Sequence, residues 1–149
     1  MMKNRFEIPQ LFLRVALGIG FLLPVMDRFG LLGAAGENGN AWGNWENFIS
    51  YTNTLMPYMS ASAANAMGAI ATAGELVFGI ALIIGYKTRL ASLGSFLLTL
   101  GFALSMFFFA DIRAPFSYSV FADSAASLLL ASIPFYRWSL DAVLLGKEN

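Results

Sequence analysis

The sequence has no cysteine and no histidine among its 149 residues. That pair of absences excludes thiolate nucleophiles, disulfide exchange, Cys/His zinc sites, cysteine-bound iron–sulfur clusters, His-ligated haem and a Ser-His-Asp triad. Charge is scarce too: 12% of the residues are charged, about half the roughly 25% of a soluble domain. Nine basic residues balance nine acidic ones, so no net field draws nucleic acid, and the basic residues form no patch. No G-x-x-x-x-G-K-[ST] occurs, and Gly18-Ile19-Gly20 lies within an apolar run with no strand before it, so nucleotide binding has no support. Asp27, Glu75, Asp111 and Asp123 lack metal-ligand spacing, and no metal is expected. Any chemistry must come from carboxylates, arginines, aromatics or a bound cofactor.

Apolar length is what the chain has instead. Hydrophobic residues make up 58% of it and the mean hydropathy is +0.66. A helix needs about 20 mostly apolar residues to cross the roughly 30 Å hydrocarbon core. Four segments meet that length: Ile8 to Gly33, Ser62 to Gly85, Leu90 to Ala110 and Tyr118 to Trp138. Their apolar runs are continuous and do not alternate with period two, so helices are expected and not membrane strands. There is no internal repeat and no low-complexity tract. The expectation is one all-α membrane domain over residues 1–149, a four-transmembrane-helix bundle. The first span has the basic start of a signal peptide, but its length and its Arg14 and Asp27 predict that it is retained.

Lys3 and Arg5 precede the first span, Lys87 and Arg89 fill the second connection, and Arg137 and Lys147 follow the fourth. The long first connection, Ala34 to Ala61, holds Glu37 and Glu46 and no basic residue; Arg28 and Arg113 alone lie on that side. The positive-inside rule then places both termini in the cytoplasm and the long connection outside a prokaryotic inner membrane. Within that connection Trp42, Trp45, Phe48, Ile49, Thr52, Leu55, Met56 and Met59 recur at three-and-four spacing, which predicts an amphipathic external helix. It is either an interfacial anchor or a lid over a site opening outward.

An ionisable side chain within the bilayer asks for a partner or a purpose. Glu75 lies near the middle of the second span and Arg14 in the inner half of the first, close enough in depth to predict an Arg14–Glu75 pair. Asp123 could meet Arg28 or Arg113 near the outer surface, with Asp27 pointing elsewhere. Small and polar stripes predict the inward faces: Gly68, Thr72, Glu75 and Gly79; Gly94, Leu98, Gly101 and Ser105; Ser119, Asp123, Ala126 and Ser127; and Gly18 beside Arg14. Pro24 and Pro134 are candidate kinks. The seam is either structural or a cofactor and proton site, and with Phe102, Met106, Phe107 and Phe108 beside it a quinone head would fit.

The order of short motifs resembles the DoxX family of small four-span membrane proteins. Leu13-Arg14-Val15-Ala16-Leu17-Gly18 is similar to its opening Leu-Arg…Leu-Gly. Glu75, then Phe78-Gly79-Ile80-Ala81-Leu82-Ile83-Ile84-Gly85 and Thr88-Arg89-Leu90-Ala91, is similar to its Glu…Gly…Leu-Leu…Gly…Thr-Arg-Leu-Ala. Tyr136-Arg137-Trp138-Ser139-Leu140-Asp141 resembles its Tyr/Trp-Ser-Leu-Asp close. Where members often carry a glycine and a lysine near the end of the first span, this chain reads Pro24-Val25-Met26-Asp27-Arg28. The resemblance implies a subunit linked to quinone redox chemistry, such as that of thiosulfate:quinone oxidoreductase, with Arg14, Glu75, Arg89 and Asp141 as the matching polar residues. The expected catalytic residues are Glu75, Arg14 and Asp123; Arg14, Thr72, Glu75, Arg89, Trp42 and Trp45 are the expected contacts to quinone or lipid. Electrons would come from a protein partner in a membrane complex. The alternative to such a partner is a homo-oligomer. The rival expectations for function are a non-catalytic accessory subunit of a larger membrane complex and a small proton-coupled carrier, against which the lack of a repeat speaks.

Overall fold

The structure is a computed structural model that describes residues 6–146. Lys3, Arg5 and Lys147, which enter the charge asymmetry above, lie outside the described residues. Among the described residues there is no strand. Among these residues three helices are long and apolar enough to cross a membrane: α1 (Glu7–Arg28), α3 (Ala61–Ile84) and α4 (Thr88–Phe109). Between the first two lies α2 (Trp45–Leu55), and after α4 come α5 (Ala114–Ser117), α6 (Val120–Ala131) and α7 (Leu140–Leu144).

Helix boundaries follow from local chemistry. Asn44 and Ser60 cap α2 and α3, accepting from Asn47 N at 2.8 Å and Ala63 N at 3.3 Å. Gly85 ends α3 in the left-handed region, φ 70°. A side chain there would also collide with Ser139 and with the Arg14 guanidinium. The α4 N-terminus has no local cap; Asp141 supplies one from far along the chain, accepting from Lys87 N at 2.7 Å and Thr88 N at 2.8 Å. Pro24 sits within α1, which continues across it to Arg28.

The segment read as one span from Tyr118 to Trp138 is folded in pieces. Ser119 has φ 58° and separates α5 from α6, and α6 stops at Ala131, ahead of Pro134. Proline disfavours helical conformation in the residue before it, which fits that early stop. At 12 residues, α6 is about 18 Å long, short of the hydrocarbon thickness by itself.

α1 lies along α3, α3 along α4, and α4 along α6. The α1–α3 contact is close where two glycines oppose: a Cβ on Gly18 would lie 2.8 Å from Gly79 O. Leu17, Phe21, Leu82, Ala91, Leu130 and Tyr136 form the apolar core. The α4–α6 face is built from hydroxyls that satisfy themselves along the helix, with Ser92, Ser95 and Thr99 donating at 2.8 Å to the carbonyls four residues earlier. This corrects the expected α4 stripe: Ser92, Ser95 and Thr99 are buried, while Gly101 is exposed. On α3 all four residues of the expected stripe, Gly68, Thr72, Glu75 and Gly79, are buried. On α6 Ser124 and Ser127 are buried, whereas Asp123 is exposed.

Candidate functional site

Two buried guanidiniums occupy opposite ends of the antiparallel α1–α3 pair. Arg28, in the last turn of α1, points back along its helix to α3. Its Nη1 donates to Thr72 Oγ1 at 2.8 Å and pairs with Glu75 Oε2; its Nη2 donates to Glu75 Oε1 at 3.0 Å. The two side chains are 3% and 5% exposed. Such a pair lacks water's help and depends on its geometry to offset desolvation. Thr72 Oγ1 in turn donates to Gly68 O at 2.8 Å. Arg28 Nε is buried with no hydrogen-bond partner among the described residues.

α2 roofs this pair. The Arg28 guanidinium carbon lies 4.0 Å from the Phe48 ring centroid and 5.1 Å from that of Trp42, a cation–π arrangement with two rings. Trp42 meets Phe48 edge-on at 5.3 Å, and Trp45 packs on Phe48 at the same separation. The roof is pinned at several points. Asp27 accepts from Ala41 N, Trp42 N and Gly43 N at 2.8, 3.1 and 2.8 Å. Trp45 Nε1 donates to Asn65 Oδ1 at 3.0 Å, and Phe29 stacks on Trp45. Gly68 makes the approach possible, because a Cβ there would fall 2.6 Å from Ile49 Cδ1 and 3.1 Å from Phe48 Cε1. Tyr51 leans on Trp42, and burial, with Tyr118 adding to it, holds its phenol above the ordinary tyrosine range.

Glu75 therefore pairs with Arg28, not with Arg14 as its depth suggested. Side chains on a helix lean toward its N-terminus. On antiparallel helices Arg28 and Glu75 lean toward each other, while Arg14 leans away. Arg14 instead clasps the other end of the bundle, with 1% exposure. Its Nε donates to Leu82 O at 3.0 Å, Nη1 to Gln10 Oε1 at 3.2 Å and Arg137 O at 3.3 Å, and Nη2 to Ile83 O at 3.3 Å and Trp138 O at 3.0 Å. Those bonds use all five guanidinium donors. Leu82 and Ile83 belong to the last turn of α3, whose free carbonyls favour a cation.

The other expected site residues divide the same way. Thr72, Trp42 and Trp45 surround or roof the Glu75 pair, as described. Arg89 is exposed at the α3–α4 turn, at the far end. Asp123 forms no ion pair with Arg28 or Arg113 among the described residues. Asp27 does point away from the bundle pair, as its angular offset suggested, and takes the loop amides. Met106 is buried, but Phe108 is 68% exposed and faces outward. Sequence reasoning missed Phe48 as a cation-stacking ring and Gln10 as an Arg14 partner. The leaning direction of helical side chains was the signal available for Arg28.

No curated protein and no solved structure matches the chain. The family model for DoxX matches residues 9–110. That stretch contains α1 from Pro9 onward, α2 to α4, both guanidinium clusters' α1 and α3 residues, and the whole roof. Covering more than half of the sequence, the match establishes that the chain belongs to the DoxX family.

Proposed function

We propose that this membrane protein is a small subunit of a quinone-linked redox system in a prokaryotic cytoplasmic membrane, and that the quinone head meets Arg28, Glu75 and Thr72 beneath Trp42 and Phe48. The observation that carries the reading is Arg28 Nε, a buried donor without an acceptor among the described residues, beside two aromatic faces. Buried donors normally find partners, and a quinone head is flat with acceptor oxygens, which fits both features. A bound quinone supplies two-electron, two-proton redox chemistry, with electrons from a partner protein. Arg28 orients the head, Trp42 and Phe48 hold its plane, and α2, tied through Trp45 and Asp27, excludes water. Glu75 is the group able to hold a proton at its carboxylate when Arg28 turns toward the head. Asp123 makes no bond to this cluster and takes no part in the scheme; Arg14 acts as a clasp.

The same reading places α2 on the external face, both termini in the cytoplasm, and the fourth crossing in α6 with its flanking residues. Support comes from the chain path. Residues 137–141 are bonded to Arg14, Gly85 and the α4 N-terminus, whereas Tyr58 stacks on Phe109 at the α2 end. The chain between those two points runs the length of the bundle.

A second reading has its own observation. Both Glu75 oxygens already accept from Arg28, so the carboxylate is satisfied and the ion pair could serve only to fix register in an accessory subunit. The double replacement Arg28→Met with Glu75→Leu separates the two, since apolar replacement of a whole buried pair is often neutral or stabilising. Wild-type protein extracted from the membrane is expected to carry quinone, and the double variant to lose it while remaining folded. A wild type free of quinone, with the variant folded and still assembled with its partners, would leave the accessory role standing and remove the redox site.

A further inference from the structure

At the end of the bundle away from the Arg28–Glu75 pair, a groove of about 490 Å³ opens between the start of α4 and the segment from Pro134 to Leu145. Its rim carries Lys87 and Arg89, both exposed, and neither forms an ion pair among the described residues. Its walls are apolar: Leu90, Leu144 and Leu145 are 64, 66 and 62% exposed. Among the described residues one carboxylate lines it, Asp141, whose two oxygens accept from the Lys87 and Thr88 amides. Because Gly85–Lys87 is the turn between two membrane-spanning helices, the groove lies at headgroup level.

We infer that this groove seats one anionic glycerophospholipid, its phosphate between Lys87 and Arg89 and an acyl chain along Leu90, Leu144 and Leu145. Charge complementarity selects the head: among the described residues the groove sets two cations, Lys87 and Arg89, against the single carboxylate of Asp141. This net positive rim favours a net negative lipid over a zwitterionic one, whose own cation would be set beside them. The leucines select an amphiphile over a free anion, since a soluble phosphate gains nothing from an apolar wall. Basic pockets at helix ends near the membrane surface recognise lipid heads in this way. The inference rests on the membrane embedding and is independent of the quinone reading, whose residues lie at the other end.

The test is native mass spectrometry from mild detergent with added phosphatidylglycerol, phosphatidylcholine or inorganic phosphate. Wild-type protein is expected to retain phosphatidylglycerol in preference to the other two. Each cation removed, as Lys87→Gln or Arg89→Gln, lowers that retention roughly fivefold, and the pair about 25-fold. Equal retention of both lipids, retention of phosphate in place of lipid, or a folded double variant that binds like wild type overturns the inference. A second arm needs no variant. Phosphatidylglycerol with a photoreactive group near its glycerol should label peptides spanning 86–90 or 134–145 of the wild-type protein in bilayers, and phosphatidylcholine should not compete. Labelling spread evenly over the lipid-facing helices overturns the inference, as does a dimer whose groove peptides are shielded.

Discussion

Arg14 and Arg28 lie on one helix and are almost equally buried, at 1% and 3% exposure, yet their surroundings differ in kind. Arg14 is held by neutral acceptors, four backbone carbonyls and one amide oxygen. Arg14→Ala strands those buried oxygens and is expected to cost more than about 3 kcal/mol, read as a lowered thermal midpoint in detergent. Arg14→Lys should recover little of it, because an ammonium has three donors in place of a five-donor fork. For Arg28 the partner is a charge. Glu75→Gln alone should cost about 3–5 kcal/mol, and the apolar double replacement of Arg28 and Glu75 markedly less than the sum of the single losses. An additive result would mean that the two groups do not interact. Arg14 and Glu75 were legible in the sequence as intramembrane charges needing partners, and Arg28 as a charge at the outer end of the first span. Their pairing was not, because a depth count along two helices is blind to the direction in which side chains lean.

The three-and-four spacing from Trp42 to Met59 included the residues that α2, a shorter helix over Trp45–Leu55, buries: Phe48, Thr52 and Leu55. What it did not carry was the docking, which depends on a glycine in another helix and a carboxylate at the end of a third. Gly68→Leu puts a side chain where Ile49 and Phe48 already stand, and overpacking of this kind costs about 1–3 kcal/mol. The expected outcome is displacement of α2 with the membrane helices intact, measured as faster proteolysis near 42–55 and a shift in tryptophan emission. Unchanged protection there would show that the roof is held without close contact at Gly68. Asp27→Ala should loosen the same segment by a different route, removing three charge-assisted bonds to loop amides. The face of α4 was misread for a related reason. Glycine spacing was given more weight than hydroxyls, although Ser92, Ser95 and Thr99 can face a packed interface once each has bonded to the carbonyl one turn back.

At the scale of the whole molecule, α6 is too short to cross a membrane alone, yet the chain reaches the far end. The ties of residues 137–141 to Arg14 and to the α4 N-terminus close the bundle by joining its last segment to its first and third long helices. The lack of native cysteine makes this path directly measurable, since a single introduced thiol is the sole target of a maleimide. Ser50→Cys on α2 and Ser117→Cys on α5 occupy exposed positions at one end, and Val143→Cys on α7 one at the other. In intact cells a membrane-impermeant maleimide should modify the first two and reach the third only after permeabilisation. If Val143→Cys labels from outside as readily as Ser50→Cys, α6 does not carry the chain back across. The clasp at Arg14 would then join segments by a route the bilayer does not separate. The hydropathy of the fourth segment alone could not decide this, because Ser119 and Pro134 break the helix on which a length argument depends. Long-range bonds made by Arg14 and Asp141, invisible to any window of sequence, are what set the two ends of the segment apart.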